Sequence, residues 1–447
     1  MIELLEGAAA EHPDKVAVVS PFGAPSYAEL LDRARAAGAE LRARGIARFG
    51  ILEHDPAVVL ALLAGSALAG AEACVYPLAA SDEVNTETFV RFEEDLLVTS
   101  RTDLDVKSAA PTELFGSTAP ELPPAVEPRP LMVMTTGTSG FPRGVRHTWE
   151  RVLRTTSRIK PAPDQRWLLA YGLNQFGGLQ ILIHVLAARA QLVAGKSFQP
   201  RDALAAMRQH GVTHASGTPT FWRFLLAEMR SDGGPTPALT QVTLGGEAVP
   251  GALLERLHEA FPGAKISQIY GATEFGQNIT VRDRLPGLPI GLLQSGGDVE
   301  FKVVDGELWV RSKASMLGYY GEESVDAESW RPTGDLVEVV GERVEFRGRK
   351  TDVINVGGVK VHPLPVEDRA SRVPGVQLVR AFGRPNPLAG SIVAVEAVLE
   401  PDADADEVGR AIREACADLP PAARPRSIRF VETLSTTGNK VNRGVNR

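Results

Sequence analysis

MTTGTSGFPRG, residues 134–144, is the stretch on which the reading of this chain turns. It follows the apolar run LMVM at 131–134 and gathers four hydroxyl side chains, three glycines and Arg143 into one short segment. A strand that ends in such a loop can wrap polyphosphate with backbone N–H groups, hydroxyls and one cation. A plain Gly/Ser/Thr turn is the competing reading of the segment taken alone. A Walker A loop is disfavoured, because no GK[ST] closes the segment and Pro142 interrupts the helix start that such a loop needs.

Outward from this loop, β-rich runs at 49–52, 131–134, 167–171 and 241–244 alternate with apolar-periodic stretches long enough to be helices. That alternation predicts an α/β architecture with mostly parallel sheets. Ser26 and Glu29 have capping-box spacing, and Tyr27, Leu30, Leu31, Ala34, Ala37 and Leu41 then recur at helical intervals, so a helix is expected to start there. Residues 103–130 are rich in Pro, Ser, Thr and Glu and read as a surface connection. Past residue 296, β-like runs at 299–304, 307–310, 337–340 and 344–346 predict an antiparallel subdomain. From about residue 350 a compact α+β unit is expected, with strands at 376–382, 392–399 and 427–431 and a helix at 405–419.

At 447 residues the chain exceeds one ordinary core and suits a large domain plus a smaller one. Apolar residues at 44% and charged residues at 23% exclude a disordered or fibrous chain. The net charge of -7 gives no general attraction to nucleic acid or to an acidic membrane surface. Cys74 and Cys416 lie far apart and outside any CxxC or Cys/His cluster, which points to two reduced thiols in a cytoplasmic protein. The beginning of the chain is acidic and lacks a long apolar run, so no export is expected. The apolar stretch 57–71 falls short of the roughly 20 residues of a membrane span and reads as a buried helix.

The loop at 134–148, MTTGTSGFPRGVRHT, resembles the Ser/Thr/Gly-rich signature of the adenylate-forming superfamily of acyl-CoA synthetases, adenylation domains and luciferases. Further segments match in the family's order: LGGEAVP at 244–250, IYGATEFG at 269–276, RPTGDL at 331–336, GRKTDVINVGGVKVHP at 348–363 and TTGNKVNR at 436–443. The resemblance implies a large N-terminal domain at 1–348, built of parallel-type αβ subdomains plus a small β-rich subdomain. A small mobile α+β C-terminal domain at 349–447 follows and carries the catalytic lysine.

The reaction so implied is attack of a carboxylate on the α-phosphorus of ATP with loss of pyrophosphate. An anion approaches a polyanion, so metal and cationic donors are needed where charge develops. On this resemblance Thr135, Thr136, Gly137, Thr138, Ser139, Gly140 and Arg143 would hold the β- and γ-phosphates. Thr273 would bond the adenylate phosphate, and Glu274 would bind Mg²⁺, a hard cation suited to carboxylate and phosphate oxygens. Asp335 would accept both ribose hydroxyls, with Arg349 at ribose or phosphate. Tyr270, beside Gly271 and Ala272, would lie on adenine, and Gly245, Gly246 and Glu247 would meet the base edge. Lys440 would serve the carboxylate and α-phosphate, and Gly357 and Gly358 would line the acceptor channel. Taken singly, an Asp after Gly is a turn residue, a Tyr in an apolar strand is core and a lysine near a chain end is solvated.

The sequence departs from the family pattern at Arg143, where lysine is usual, and at Thr351 in the hinge. Asn439 stands before the catalytic lysine in place of glycine, and the usual proline is missing from 434–435. Arg143 keeps the charge but presents a planar fork. In the segment AYGLNQFGG at 170–178, Gln175 stands roughly where many acyl-CoA ligases have histidine, and the Asp that pairs an α-amino group is absent. Asn174, Gln175, Phe176, Gly177, Gln277 and Asn278 would line a pocket for a small aromatic or polar-substituted acid. INVGGVKVHP is most similar to acyl-CoA ligases, which makes CoA the expected acceptor. A carrier-protein thiol or a small nucleophile such as an amine or nitrite is the alternative, and a non-catalytic nucleotide-binding regulator is the reading from another class. The expected partners are thus a small carboxylic acid, ATP, Mg²⁺ and CoA, with the chain a monomer or homodimer and neither nucleic acid nor membrane engaged.

Overall fold

The computed structural model describes residues 1–116, 123, 125–126, 129–135, 141–294, 296–326, 328–387, 389–434, 436–437 and 440–441. Within these ranges it leaves out the side chains of residues 155, 277, 278, 436, 437, 440 and 441. A large α/β domain with mixed sheets is followed by a smaller α+β domain.

The large domain is organised on two seven-stranded sheets. In one, Ser108–Ala109, Leu96–Thr99, Arg48–Leu52, Glu72–Val75 and Pro130–Thr135 run parallel, and Arg143–Thr148 and then Gly318–Tyr319 add antiparallel at the other edge. In the other, Val18–Val19, Gln191–Val193, Arg166–Leu169, His214–Gly217, Gln241–Gly245 and Lys265–Ala272 run parallel, and Gly276–Val281 closes the edge antiparallel. Four of these strands, Arg48–Leu52, Pro130–Thr135, Arg166–Leu169 and Gln241–Gly245, are the β-rich runs singled out in the sequence, as burial on both faces favours.

The helix Tyr27–Ala43 begins as its capping box demands. Ser26 Oγ accepts from Glu29 N at 3.3 Å, and Ser26 N donates to Glu29 Oε2 at 2.7 Å. Together with Pro56–Ala69 and Phe176–Ala188 it contributes to one continuous core that joins both sheets. Pro56–Ala69 is buried along nearly its whole length, and among the described residues no helix is long and apolar enough to cross a membrane. Cys74 and Cys416 are free and buried. Residues 103–130 carry more structure than a plain connection, since Ser108–Ala109 forms an edge strand and Pro111–Phe115 a short helix.

The β-rich subdomain is a five-stranded antiparallel sheet in the order Leu288–Pro289, Arg343–Arg349, Arg331–Val340, Glu307–Ser312, Val299–Val304. In the smaller domain, Val376–Asn386, Gly390–Leu399 and Ser427–Phe430 form a sheet, and Pro363–Ser371 and Ala405–Ala415 pack on it around a separate core. The helix Pro363–Ser371 is too short to show a clear period in sequence. Its proline sits at the first helical position, where the missing N–H costs nothing.

Candidate active site

The loops at the carboxyl ends of the parallel strands carry part of the candidate set, as open α/β sheets favour. In the second sheet the adjacent strands Arg166–Leu169, His214–Gly217, Gln241–Gly245 and Lys265–Ala272 all point the same way. Their ends therefore deliver Asn174 and Gln175, Thr218 and Thr220, Gly246 and Glu247, and Thr273 and Glu274 to one rim. Tyr171 Oη reaches the Gly245 carbonyl at 3.5 Å, tying the first of these loops to the third.

The strand end at residues 270–274 bridges two clusters. Tyr270 Oη donates to Asp335 Oδ2 at 2.7 Å, and Arg349 Nε donates to Asp335 Oδ1 at 2.9 Å while its Nη1 reaches the Thr333 carbonyl at 3.0 Å. Asp335 and Arg349 are directly paired across neighbouring antiparallel strands, which fixes this contact by register. Burial and the Asp335 charge push the Tyr270 phenol well above its ordinary value, so it stays a donor. The Tyr270 ring packs at 5.2 Å from Phe346 and 6.1 Å from Phe301, both in the five-stranded sheet.

Four residues on, Glu274 Oε1 accepts from Tyr319 Oη at 3.1 Å, and the guanidinium of Arg143 lies 3.4 Å over the Tyr319 ring. Four residues of chain span no more than about 14 Å. The Tyr270 and Glu274 backbones therefore lie within that distance of one another, and each anchors one of the two clusters. His147, fully buried on Arg143–Thr148, places Nε2 2.7 Å from the Thr273 carbonyl and its ring 5.8 Å from Phe176. Burial holds its pKa down to about 4, so the ring is neutral and Nε2 carries the proton given to that carbonyl.

The phosphate-loop candidates divide. Thr135 and Arg143 form the last pair of the hairpin Pro130–Thr135/Arg143–Thr148, so a strand rather than a helix follows the loop. Thr136, Gly137, Thr138, Ser139 and Gly140 lie outside the described residues, as do the side chains of Gln277, Asn278 and Lys440. The backbone of Gln277 pairs with Gly271, and Ala272 pairs with Gly276 in the same ladder. Lys440–Val441 pairs with Thr436–Thr437 in a two-stranded hairpin. Gly357 and Gly358 form the exposed tip of the hairpin Ile354–Val356/Val359–Val361, and a Cβ built on either meets no described atom within 4 Å.

Glu247 reaches the start of the helix Pro219–Asp232, where it accepts from Thr220 N at 3.0 Å and Thr220 Oγ1 at 3.1 Å. A carboxylate is favoured at that helix end. Gln175 Oε1 accepts from Gly172 N at 3.2 Å, closing the turn that leads into Phe176–Ala188. Gly178 is required there, because a Cβ would stand 2.3 Å from the Gly172 carbonyl oxygen. Tyr319 and His147 were not singled out in sequence. Tyr319 belongs to no quoted motif, and His147 closes the signature at 134–148 without being given a role; only the tertiary contacts expose the two.

For a divalent cation the donor set is one half-buried carboxylate, Glu274, beside a loop suited to phosphate. Among the described residues no group of three His, Cys, Asp or Glu side chains stands ready for a metal. That pattern fits Mg²⁺, which takes one or two carboxylates together with substrate phosphates rather than an all-protein cage.

Comparison with known proteins adds the family. Residues 5–320 match the AMP-binding enzyme model, and residues 365–440 match the model of the AMP-binding enzyme C-terminal domain. A phenyloxazoline synthase of Mycobacterium sp. (strain MCS) is 28% identical over 483 residues, 97% of this chain and 40% of that protein. The chain thus spans under half of that relative's length. A feruloyl-CoA synthase of Amycolatopsis sp. is 28% identical over 72% of this chain and 69% of its own. In fold, the chain is similar to the crystal structure of an anthranilate CoA ligase in complex with anthranoyl-AMP. The TM-score is 0.85 at 21% identity, covering 99% of this chain and 95% of that one.

Proposed function

Because this chain belongs to the AMP-binding enzyme family, we propose that it activates a small carboxylic acid with ATP and passes the acyl group to a thiol, CoA in the first instance. The observation that carries the proposal is the bridge at 270–274, which joins a ribose-type carboxylate cluster at Asp335 to a cation and carboxylate pair at Arg143 and Glu274.

In this reading a carboxylate oxygen of the acid bonds to the α-phosphorus, the bond to the β-phosphate oxygen breaks, and pyrophosphate leaves. The acyl adenylate then loses AMP to the attacking thiolate. Asp335 accepts the ribose hydroxyls, exchanging part of its contact with Arg349 for them. Tyr270 holds that carboxylate in place and lies on adenine. Thr273 is kept at the α-phosphate by the His147 bond to its carbonyl. Arg143 and residues 135–140 hold the β- and γ-phosphates, and Glu274 would hold Mg²⁺. That cation would supply charge neutralisation at the phosphate oxygens. Lys440 serves the α-phosphate and the incoming carboxylate, and the domain carrying it begins at residue 349. Rotation of this domain would then let Gly357 and Gly358 line the thiol channel, a gating motion that times the second half-reaction.

In this reading the acid lies among Asn174, Gln175, Phe176 and Gly177, with Gln277 and Asn278 as further candidates. A small aromatic acid suits Phe176 and its His147 neighbour. The names of the feruloyl-CoA synthase and the anthranilate CoA ligase support the same class. The test is pyrophosphate release over a panel of aryl, short-chain and amino acids, followed by mass detection of the thioester with CoA. Acid-dependent release with an aryl acid is expected. Release with no acid in the panel sinks the activity, and an adenylate that ignores CoA but is consumed by a holo carrier protein transfers the acceptor assignment to that protein.

A further inference from the structure

We propose that Tyr319 is a positioning residue for the phosphate end of the cleft, its hydroxyl aiming Glu274 at a divalent cation and its ring carrying the Arg143 guanidinium. This rests on the function proposed above. Glu274 is half-buried and its side chain has three rotatable bonds, so one fixed oxygen decides where the other points. The phenol supplies that fixed contact at 3.1 Å.

The same ring explains why arginine stands where the family pattern has lysine. A planar guanidinium can lie flat on an aromatic face and keep its N–H edge free for phosphate, whereas an ammonium is a compact point charge. Arg143 Cζ lies over the Tyr319 ring, 3.4 Å from its centroid. Its recorded carboxylate partner among the described residues is Glu322, at 2.5 Å, and not Glu274. Tyr319 thus touches the cation with its ring and the Glu274 carboxylate with its hydroxyl, and Glu322 is the ion-pair partner that an arriving phosphate would displace from Arg143.

Tyr319 is itself firmly held. Gly318 and Tyr319 pair with Arg146 and Val145, and Tyr320 N donates to the Gly144 carbonyl at 2.7 Å. Gly318 has φ +145, and a Cβ there would stand 2.8 Å from the Glu323 carbonyl oxygen, so the approach to the sheet edge needs glycine. Successive residues of an extended segment face opposite ways. Tyr320 accordingly turns to Arg48 at 2.9 Å and Glu93 at 2.7 Å, with its ring edge-on to Phe92, while Tyr319 faces Glu274.

The experiment measures MgATP affinity of the full chain by calorimetry across a Mg²⁺ series, without acid. Tyr319→Phe keeps the stack and is expected to raise the half-saturating Mg²⁺ concentration about tenfold, the weight of one hydrogen bond to a charged group. Its thermal midpoint should match the wild type. Tyr319→Leu should also weaken ATP binding at saturating Mg²⁺. Arg143→Lys should weaken ATP binding in the wild-type background and have no further effect beside Tyr319→Leu, because coupled partners are non-additive. An unchanged Mg²⁺ requirement in Tyr319→Phe, or simple additivity of Arg143→Lys with Tyr319→Leu, overturns the proposal. Wild-type chain that binds MgATP but releases no pyrophosphate with any acid sinks the activity alone, since the binding series still decides the role of Tyr319. A chain that binds no ATP overturns both.

Discussion

Tyr270 and Asp335, 65 residues apart in the chain, meet at 2.7 Å between phenol and carboxylate, and Arg349 takes the other carboxylate oxygen at 2.9 Å. A carboxylate held from both sides is pre-oriented, so little ordering remains when a ribose arrives. Asp335→Asn should weaken MgATP binding tenfold or more, in keeping with about 1.5–3 kcal/mol for a hydrogen bond to a charged group. Tyr270→Phe should cost about fivefold. Calorimetric titration with MgATP checks both, and unaltered affinity in Asp335→Asn removes the ribose assignment.

The turn at 172–178 should govern the acid and not the nucleotide. Gly178→Ala sets a Cβ against the Gly172 carbonyl, an overpacking that costs about 1–3 kcal/mol of stability and displaces Gln175 and Phe176. Gln175→Ala frees the Gly172 N–H. Both variants should raise KM for the acid severalfold with KM for ATP unchanged. Equal effects on the two substrates would move the acid pocket elsewhere.

Lys440→Ala should lower acid-dependent pyrophosphate release by about 10²–10³, the usual loss when one donor to developing charge is removed. ATP affinity should stay within about threefold. Stopped-flow or coupled-enzyme assay of pyrophosphate beside a binding titration separates the two, and normal turnover would strip this lysine of its role.

Glu94 makes stability depend on pH. It is buried, accepts from Tyr76 Oη at 2.7 Å, and burial raises its pKa from 4.5 to about 8. The folded chain keeps the proton over a range where the unfolded chain has lost it. Stability from this group is therefore full below about pH 4.5 and declines as pH rises toward 8, by about 1 kcal/mol per pH unit near neutrality. His147 and His184, both held down to about 4 by burial, act in the opposite sense, losing stability as pH falls from 6.5 toward 4. Between pH 6.5 and 7.5 the Glu94 effect stands alone of these. Glu94→Gln should flatten the decline in thermal midpoint across that interval, and a slope identical to wild type would show that Glu94 does not hold its proton.

Local chemistry was legible from residue order. The capping box at Ser26 and Glu29 fixed a helix start, apolar runs marked four of the parallel strands, and the spaced motifs from 134 to 443 marked the family. Each of these depends on neighbours along the chain, through hydrogen bonds a few residues long or alternation along a strand. Other features were invisible in that frame. The helix Pro363–Ser371 is defined by its packing on the sheet that begins at Val376, and the strand at Ser108–Ala109 by an edge it joins.

The same division holds at the site. Sequence alone determined which residue types were available: a hydroxyl- and glycine-rich loop, a carboxylate at 274, another at 335 and cations at 143, 349 and 440. Tertiary structure decided how they are shared out. It gave Glu247 to the start of a helix, set Arg143 on Tyr319, and put His147 between Phe176 and the Thr273 carbonyl. Those partners lie from 27 to 176 residues apart and are brought together by sheet pairing and burial, and no spacing within a single segment encodes that.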